Sequence, residues 1–344
     1  MSTSATSPVN VDPALVEMMA AVFTEYRDTH PPTKTVERDA ELWRQLDELG
    51  LVRLTGAEES GGSGAGWFEA AELLAAAARN AVRIPLAEHD LLACWLLDAN
   101  TMPVDAATRT ICLLDDDRTA RGVPWAASSD RAVVLWRDGN THRVADVDTA
   151  ELKISPGANL IGEPRDTVVA DVDTLDGVPV NADLVERLRL KAALTRAIQV
   201  CAVLDEIVLS SINHAGSRIQ FGRALSRFQA VQHLIADVAA EAALARAATE
   251  AALMTAVASG WTAPNLRFRV ATARSCVGHA SSVVVRNAHQ IHGAIGTTYE
   301  HRLHEFTRAA LAWRSEFGSV RYWDEQVSAA TTAPGADMWG LITD

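Results

Sequence analysis

Read along the chain, the apolar positions change period twice. From residue 11 to about 100 they recur at helical spacing, in three or four segments broken by turns. Leu42, Leu46, Leu49 and Leu51 frame the end of one segment, with Gly50 as its stop, and residues 57–66 form a glycine-rich loop. Residues 68–80 make a second run, and residues 85–97, which begin on Pro85 and repeat leucine, make a third. From residue 108 to about 180 the pattern shortens. Residues 132–136, 141–147 and 167–172 are brief β-prone stretches divided by Asp-Gly-Asn and similar turns. Such turns are too short to house crossover helices, so antiparallel hairpins are expected.

After residue 181 the helical period returns and persists. It predicts helices over residues 182–216, 226–259, 265–291 and 298–329, an Ala-rich four-helix bundle whose small side chains let backbones approach closely. Gly216, Gly260 and the pair Gly293 and Gly296 lie at or near the breaks. Residues 330–344 contain Pro334 and Gly335, end acidic, and read as a tail. The expected fold is mainly α with a small β domain: an N-terminal helical domain (1–104), a middle β domain (105–181), the bundle (182–329) and the tail (330–344).

Composition mainly excludes. A chain of 344 residues is long enough for two or three domains with a buried core. Its 44 acidic against 31 basic side chains, a formal charge of -13, oppose nonspecific binding to nucleic acid or an anionic membrane. Cys94, Cys112, Cys201 and Cys276 stand far apart, without metal-ligand spacing, and read as small buried side chains in a reducing compartment. Residues 1–13 lack the basic start and apolar centre of a signal peptide, and no apolar run reaches the roughly 18 residues of a membrane span. A soluble, cytoplasmic protein without a metal site is expected. With no His-Glu-x-x-His and no Gly-x-Ser-x-Gly, neither zinc nor serine hydrolysis is indicated.

Candidate chemistry gathers in the C-terminal half. Arg218 and Gln220 sit beside Phe221-Gly222 at a helix-to-helix corner. A guanidinium there can hold a pyrophosphate by paired charge-assisted bonds while the aromatic ring packs on a flat group, although a helix-capping Arg and a corner-filling Phe account for the same residues. Gln229 and Gln232 share one helix face, which suits either a polar cofactor edge or an interhelix amide network. In Gln290-Ile291-His292-Gly293-Ala294-Ile295-Gly296, bare backbone N–H groups can meet a phosphate or ribose, or the glycines simply end the helix. This is no P-loop, and because a helix precedes it, no Rossmann signature. On the last helix, surface pairing accounts for Arg302 and Glu305, whereas Arg308, beside Phe306 and Ala309, calls for a half-buried position and a specific partner.

Taken together and in order, these motifs resemble the acyl-CoA dehydrogenase family, particularly its short actinobacterial members, over about residues 42–327. Leu49-Gly50-Leu51 followed by Ala57-Glu58-Glu59-Ser60-Gly61-Gly62-Ser63-Gly64 resembles the family's N-terminal signature, with Ala57 in place of proline. Gly122-Val123-Pro124-Trp125-Ala126 resembles the β-domain segment after the flavin-contacting loop, but the usual Thr-Glu-Pro…Gly-Ser-Asp stretch upstream is missing. The resemblance implies a β-barrel-like middle domain, here abbreviated, and FAD as cofactor. It places Arg218, Phe221 and Gln229 on the adenine half of FAD, with Gln290, Gly293 and Gly296 completing the site from a neighbouring subunit. Ala294 replaces the second glycine of the family's Gly-Gly pair.

The resemblance further implies an acyl-CoA thioester substrate and an electron-transfer flavoprotein as acceptor. A carboxylate takes the α proton while the β hydrogen leaves as hydride to the flavin. One branch of the family carries that base where this chain has Phe317, before Gly318; the other carries it where this chain has Ala192. Neither is a carboxylate. Glu316, one residue out of register, and Glu186, about a turn and a half away, are the displaced candidates. Three expectations stand: a base-less subunit that completes the FAD site of a heteromer acting on steroid side-chain or similarly bulky CoA thioesters; an active homo-oligomer with a displaced glutamate; or a non-catalytic protein of the same fold.

Overall fold

The computed structural model describes residues 11–333, 335 and 337–343; most of the segment read as lacking a signal peptide lies outside them. Helix α1 (Pro13–Thr29) starts where Asp12 accepts the Ala14 N–H at 2.9 Å and Pro13 takes the first turn. Helix α2 (Ala40–Glu48) is capped by Asp39, which accepts the Glu41 and Leu42 N–H groups, and it stops just before Gly50 at φ 71°. The glycine-rich loop then folds tightly on itself: a Cβ at Gly62 would lie 2.1 Å from the Gly56 carbonyl oxygen, so only glycine fits. Helix α3 (Trp67–Arg79) follows. The third apolar run winds more widely than an α-helix, as a π-helical stretch Ala87–Cys94 that leads into α4 (Trp95–Ala99).

Seven strands come next: β1 (Arg109–Leu113), β2 (Thr119–Pro124), β3 (Arg131–Asp138), β4 (Thr141–Asp148), β5 (Lys153–Ser155), β6 (Arg165–Val169) and β7 (Val178–Val180). They form two packed sheets, ordered β1-β3-β4-β7 and β2-β6-β5. The three expected stretches are β3, β4 and β6. The expectation of antiparallel hairpins alone needs correcting, because β1 runs parallel to β3, with the intervening chain passing through β2 in the other sheet. Both faces of the larger sheet are covered. Val134, Trp136 and Ala145 pack with Cys112 and Val168 between the sheets, while Val133, Leu135 and Val144 pack with Leu96, Leu188 and Ala192 on the helical side. A strand buried on both faces loses its polar alternation, which is why Ala132-Val133-Val134-Leu135-Trp136 is continuously apolar.

Helix α5 (Ala182–Ser217) is capped by Asn181 and ends at a tight hairpin of β8 (Ile219–Gln220) and β9 (Arg223–Ala224). Helices α6 (Gln229–Ala258) and α7 (Leu266–His292) complete three long rods. The expected fourth helix is two: α8 (Leu303–Trp313) and α9 (Val320–Thr332). They are separated by a break at Phe317 (φ 54°) and Gly318 (φ 119°), after which Ser319 recaps the chain by accepting the Tyr322 N–H. The stretch read as a tail begins inside α9 and holds a short helix, α10 (Met338–Thr343). One apolar core joins α1, α2 and α3 to the bundle. No helix among the described residues is long and apolar enough to cross a membrane.

Candidate functional site

The break between α8 and α9 faces β1, β2 and the chain leading into β6 across a cleft of about 490 Å³, lined by Ile111, Val123, Leu160, Arg165, Glu316 and Phe317 among others. Buried Arg274 on α7 holds the break in shape, with Nη2 donating to the carbonyls of Arg314 (2.9 Å), Glu316 (2.8 Å) and Gly318 (3.3 Å). Its Nε and Nη1 are buried without a hydrogen-bond partner, and burial pushes the group down to about 9. The structure brings together the two positions at which the resemblance implies a base. Ala192 is buried in the cluster of Val133 and Leu188, and Phe317 packs against that same cluster. The Phe317 ring presents its face to the Arg196 guanidinium, 5.3 Å away.

Glu316 is built into an ion network. Its Oε1 accepts from Arg165 Nε (2.8 Å) and Asn159 Nδ2 (3.1 Å), and its Oε2 from Arg196 Nε (2.7 Å) and Arg165 Nη2 (2.9 Å). Four donors meet the roughly four lone-pair sites of a carboxylate, so none is left to take a proton. Burial alone would raise this group, but the charges of Arg196 and Arg165, with the bonds from Arg165 and Asn159, outweigh it and hold Glu316 down to about 2. The network continues from Arg196 to Glu88 on the π-helical stretch, and from Arg165 Nη2 to Glu163 at 2.8 Å; Trp313 Nε1 also donates to Glu163, at 2.9 Å. Glu186 lies elsewhere. It faces Arg267 at 3.2 Å on the outside of the bundle and is no part of the cleft.

The other motifs meet at one end of the bundle. Arg218 caps α5, Phe221 sits at the hairpin tip with φ 51° and is 92% exposed, and Gln229 opens α6. Gln290 is exposed in the last turn of α7, followed by exposed Gly293 (φ 64°) and buried Gly296. The two corners abut, since His214, one turn before Arg218, stacks on His292 with ring centroids 4.4 Å apart. The Arg218 guanidinium makes no hydrogen bond or ion pair with any described residue, and a Cβ at Gly293 would meet only open space. Ile212, Ile219, Ile295 and Tyr299 are exposed apolar side chains at this same end. Arg308 is half-buried as expected, donating to the Leu160 carbonyl, whereas Glu305 is buried and bonds Arg27 on α1 at 2.6 Å as well as facing Arg302.

Sequence reasoning missed Glu88, Arg165 and Arg196. The signal lay in Glu88-His89-Asp90 and in Lys191 and Arg196, charged residues set inside otherwise apolar helical runs, where each must find an internal partner. Lys191 finds aromatic faces: its Nζ lies 4.5 Å from the Trp67 and Trp95 rings and 4.1 Å from that of Trp261.

Comparison with known proteins gives the same outline. Residues 14–101 match the family model described as acyl-CoA dehydrogenase, N-terminal domain, and residues 184–322 match acyl-CoA dehydrogenase, C-terminal domain. The chain is 29% identical over 284 residues to the acyl-CoA dehydrogenase IpdE2 of Mycobacterium tuberculosis, covering 79% of this chain and 80% of that one. It is 26% identical over 275 residues to IpdE2 of Mycolicibacterium smegmatis, covering 79% and 82%. Among solved structures, a chain of the ChsE4-ChsE5 complex from Mycobacterium tuberculosis superposes with a TM-score of 0.79 at 19% identity, over 95% of this chain and 99% of that one, which shows a shared fold. The paired helical regions, the central sheets between them and the two matched domains make this chain a member of the acyl-CoA dehydrogenase family.

Proposed function

We propose that this chain is the base-less subunit of a heteromeric FAD-dependent acyl-CoA dehydrogenase, completing a flavin site shared with a homologous partner that supplies the catalytic carboxylate. The observation that carries this reading is the saturation of Glu316, the carboxylate beside the base position, by Arg165, Arg196 and Asn159, while Phe317 and Ala192 fill the two base positions with carbon. A group held near 2 is a poor match for abstracting an α proton at neutral pH.

The residues at the bundle end fit a nucleotide. Arg218 offers an exposed, unpaired guanidinium beside Phe221, and Gly293 leaves the backbone open to close approach. Arg218, Phe221 and Gln229, with Gln290, Gly293 and Gly296, would hold the adenine half of FAD, which supplies the electron acceptor when bound. The exposed apolar side chains around them suit burial against another subunit. A chain of the same fold occurs in the ChsE4-ChsE5 complex, and in the present reading the second subunit is a homologue, the pair oxidises a bulky CoA thioester, and electrons pass to an electron-transfer flavoprotein. The domain division at residues 104, 181 and 329 and a cytoplasmic location belong to the same reading.

The test is to produce the chain alone and together with a carboxylate-bearing homologue, then measure bound FAD and its bleaching by acyl-CoA. FAD retained by the pair and bleached only there supports the reading. Full bleaching by the lone chain overturns it in favour of a displaced base, and Glu316→Gln and Glu186→Gln then locate that base.

A further inference from the structure

Three histidines, His214 and the closer pair His292 and His301, converge where α5, α7 and α8 meet. His214 lies in the last turn of α5, His292 is the final residue of α7, and His301 stands two residues before α8. One ring nitrogen from each lies within 4.8 Å of the others, and the His292 and His301 ring centroids are 4.7 Å apart. His292 is buried while the other two are half-buried, so the cluster is reachable from solvent on one side.

The hydrogen bonds orient this cluster. His292 Nδ1 donates to the Ala288 carbonyl at 2.8 Å, which leaves the Nε2 lone pair to accept from the Ser210 hydroxyl at 3.3 Å, a bond that a metal must displace. A backbone carbonyl on one ring nitrogen that fixes the tautomer and frees the other nitrogen is the usual support of a metal-binding histidine. The donor set holds three imidazoles and neither thiolate nor carboxylate, which selects first-row transition ions such as zinc over calcium or magnesium. Tetrahedral zinc with Zn–N near 2.0–2.1 Å sets ligand nitrogens about 3.4 Å apart, so the rings must close by at most about 1.4 Å. Half-buried His214 and His301 must turn by that much, and His214 must leave its stack on the His292 ring. His301 Nδ1 now accepts the Leu303 N–H at 3.1 Å, so a metal must take over that lone pair or turn the ring. The charge that opposes a cation is Arg218, which is solvent-exposed and therefore screened.

We propose that His214, His292 and His301 bind one divalent transition-metal ion of the zinc class, clamping the ends of α5 and α7 to the start of α8 and leaving a fourth coordination position to solvent. This rests on the three side chains and is independent of the flavin reading, since a metal can bind whether or not the neighbouring corners hold a nucleotide. After chelator treatment and dialysis, the purified full chain is titrated with Zn²⁺ alone by calorimetry, with the melting temperature recorded in parallel, for wild type, His214→Gln, His292→Gln and the surface control His279→Gln, whose ring pairs with Asp324. The expected result is uptake of one equivalent with a raised melting temperature in wild type and His279→Gln, both lost in His214→Gln and His292→Gln. No uptake by wild type, or equal uptake by all four, overturns the proposal. Should His292→Gln fail to fold, His214→Gln carries the same comparison. Co²⁺ bound to wild type should show no thiolate charge-transfer band, and such a band would place the ion on cysteine instead.

Discussion

At neutral pH the Glu316 carboxylate sits between two guanidiniums with every lone pair engaged. Replacing it with glutamine removes the anion between Arg165 and Arg196, which keep Glu163 and Glu88 as their other partners, and should destabilise by at most about 3–5 kcal/mol. Urea unfolding at pH 7 checks this. Because its folded value is depressed to about 2, Glu316 contributes stability that is fully present above the ordinary carboxylate value of about 4.3 and is lost as pH falls through 2. Glu316→Gln should therefore flatten that part of the stability curve. Lys191 gives the opposite test on the alkaline side. Burial pushes it down to about 7, against an unfolded value near 10.4, so the folded chain sheds a proton that the unfolded chain keeps and stability rises across that interval. Lys191→Met should remove that rise in unfolding curves taken from pH 7 to 10, and an unchanged slope would show that the three indole rings keep the ammonium charged.

Among the elements, the break between α8 and α9 decides what the cleft contains. The sequence from residue 298 to 329 keeps a helical period straight through it, and Gly318 alone hints at an interruption. The break depends on Arg274 reaching over from α7 to bind three carbonyls, a long-range contact that leaves no local pattern. Arg274→Met should speed amide exchange around residues 314–319 while sparing the middle of α5. Gly318→Ala meets both a left-handed φ and Trp323 Nε1 at 2.5 Å, and should lower stability by about 1–3 kcal/mol, read from thermal melts. The long rods α5, α6 and α7, by contrast, were legible to within three residues at their ends, because their small and branched apolar residues repeat without competition. Strands β1, β2, β5 and β7 were not. They are short, β1 pairs in parallel with a strand nearly twenty residues on, and period alone does not report such pairing.

At the scale of the molecule, the order of motifs pointed to the fold, but their convergence came only with the structure. Arg218 and Gln290 are separated by most of two helices and still close one end of the bundle, where His214 stacks on His292. The histidine cluster was illegible for the same reason, since its members carry no ligand spacing in sequence. That end, polar at the corners and apolar around them, is the proposed surface for both FAD and a partner, while at the other site the ion network engages every lone pair of Glu316. The most direct measurement is anaerobic flavin bleaching by acyl-CoA in the chain alone and in the co-purified pair. Bleaching is expected in the pair, persisting when Glu316 of this chain is changed to glutamine in the assembled pair, and none is expected in the lone chain. Complete bleaching by the lone chain, abolished by Glu316→Gln with FAD still bound, would contradict it.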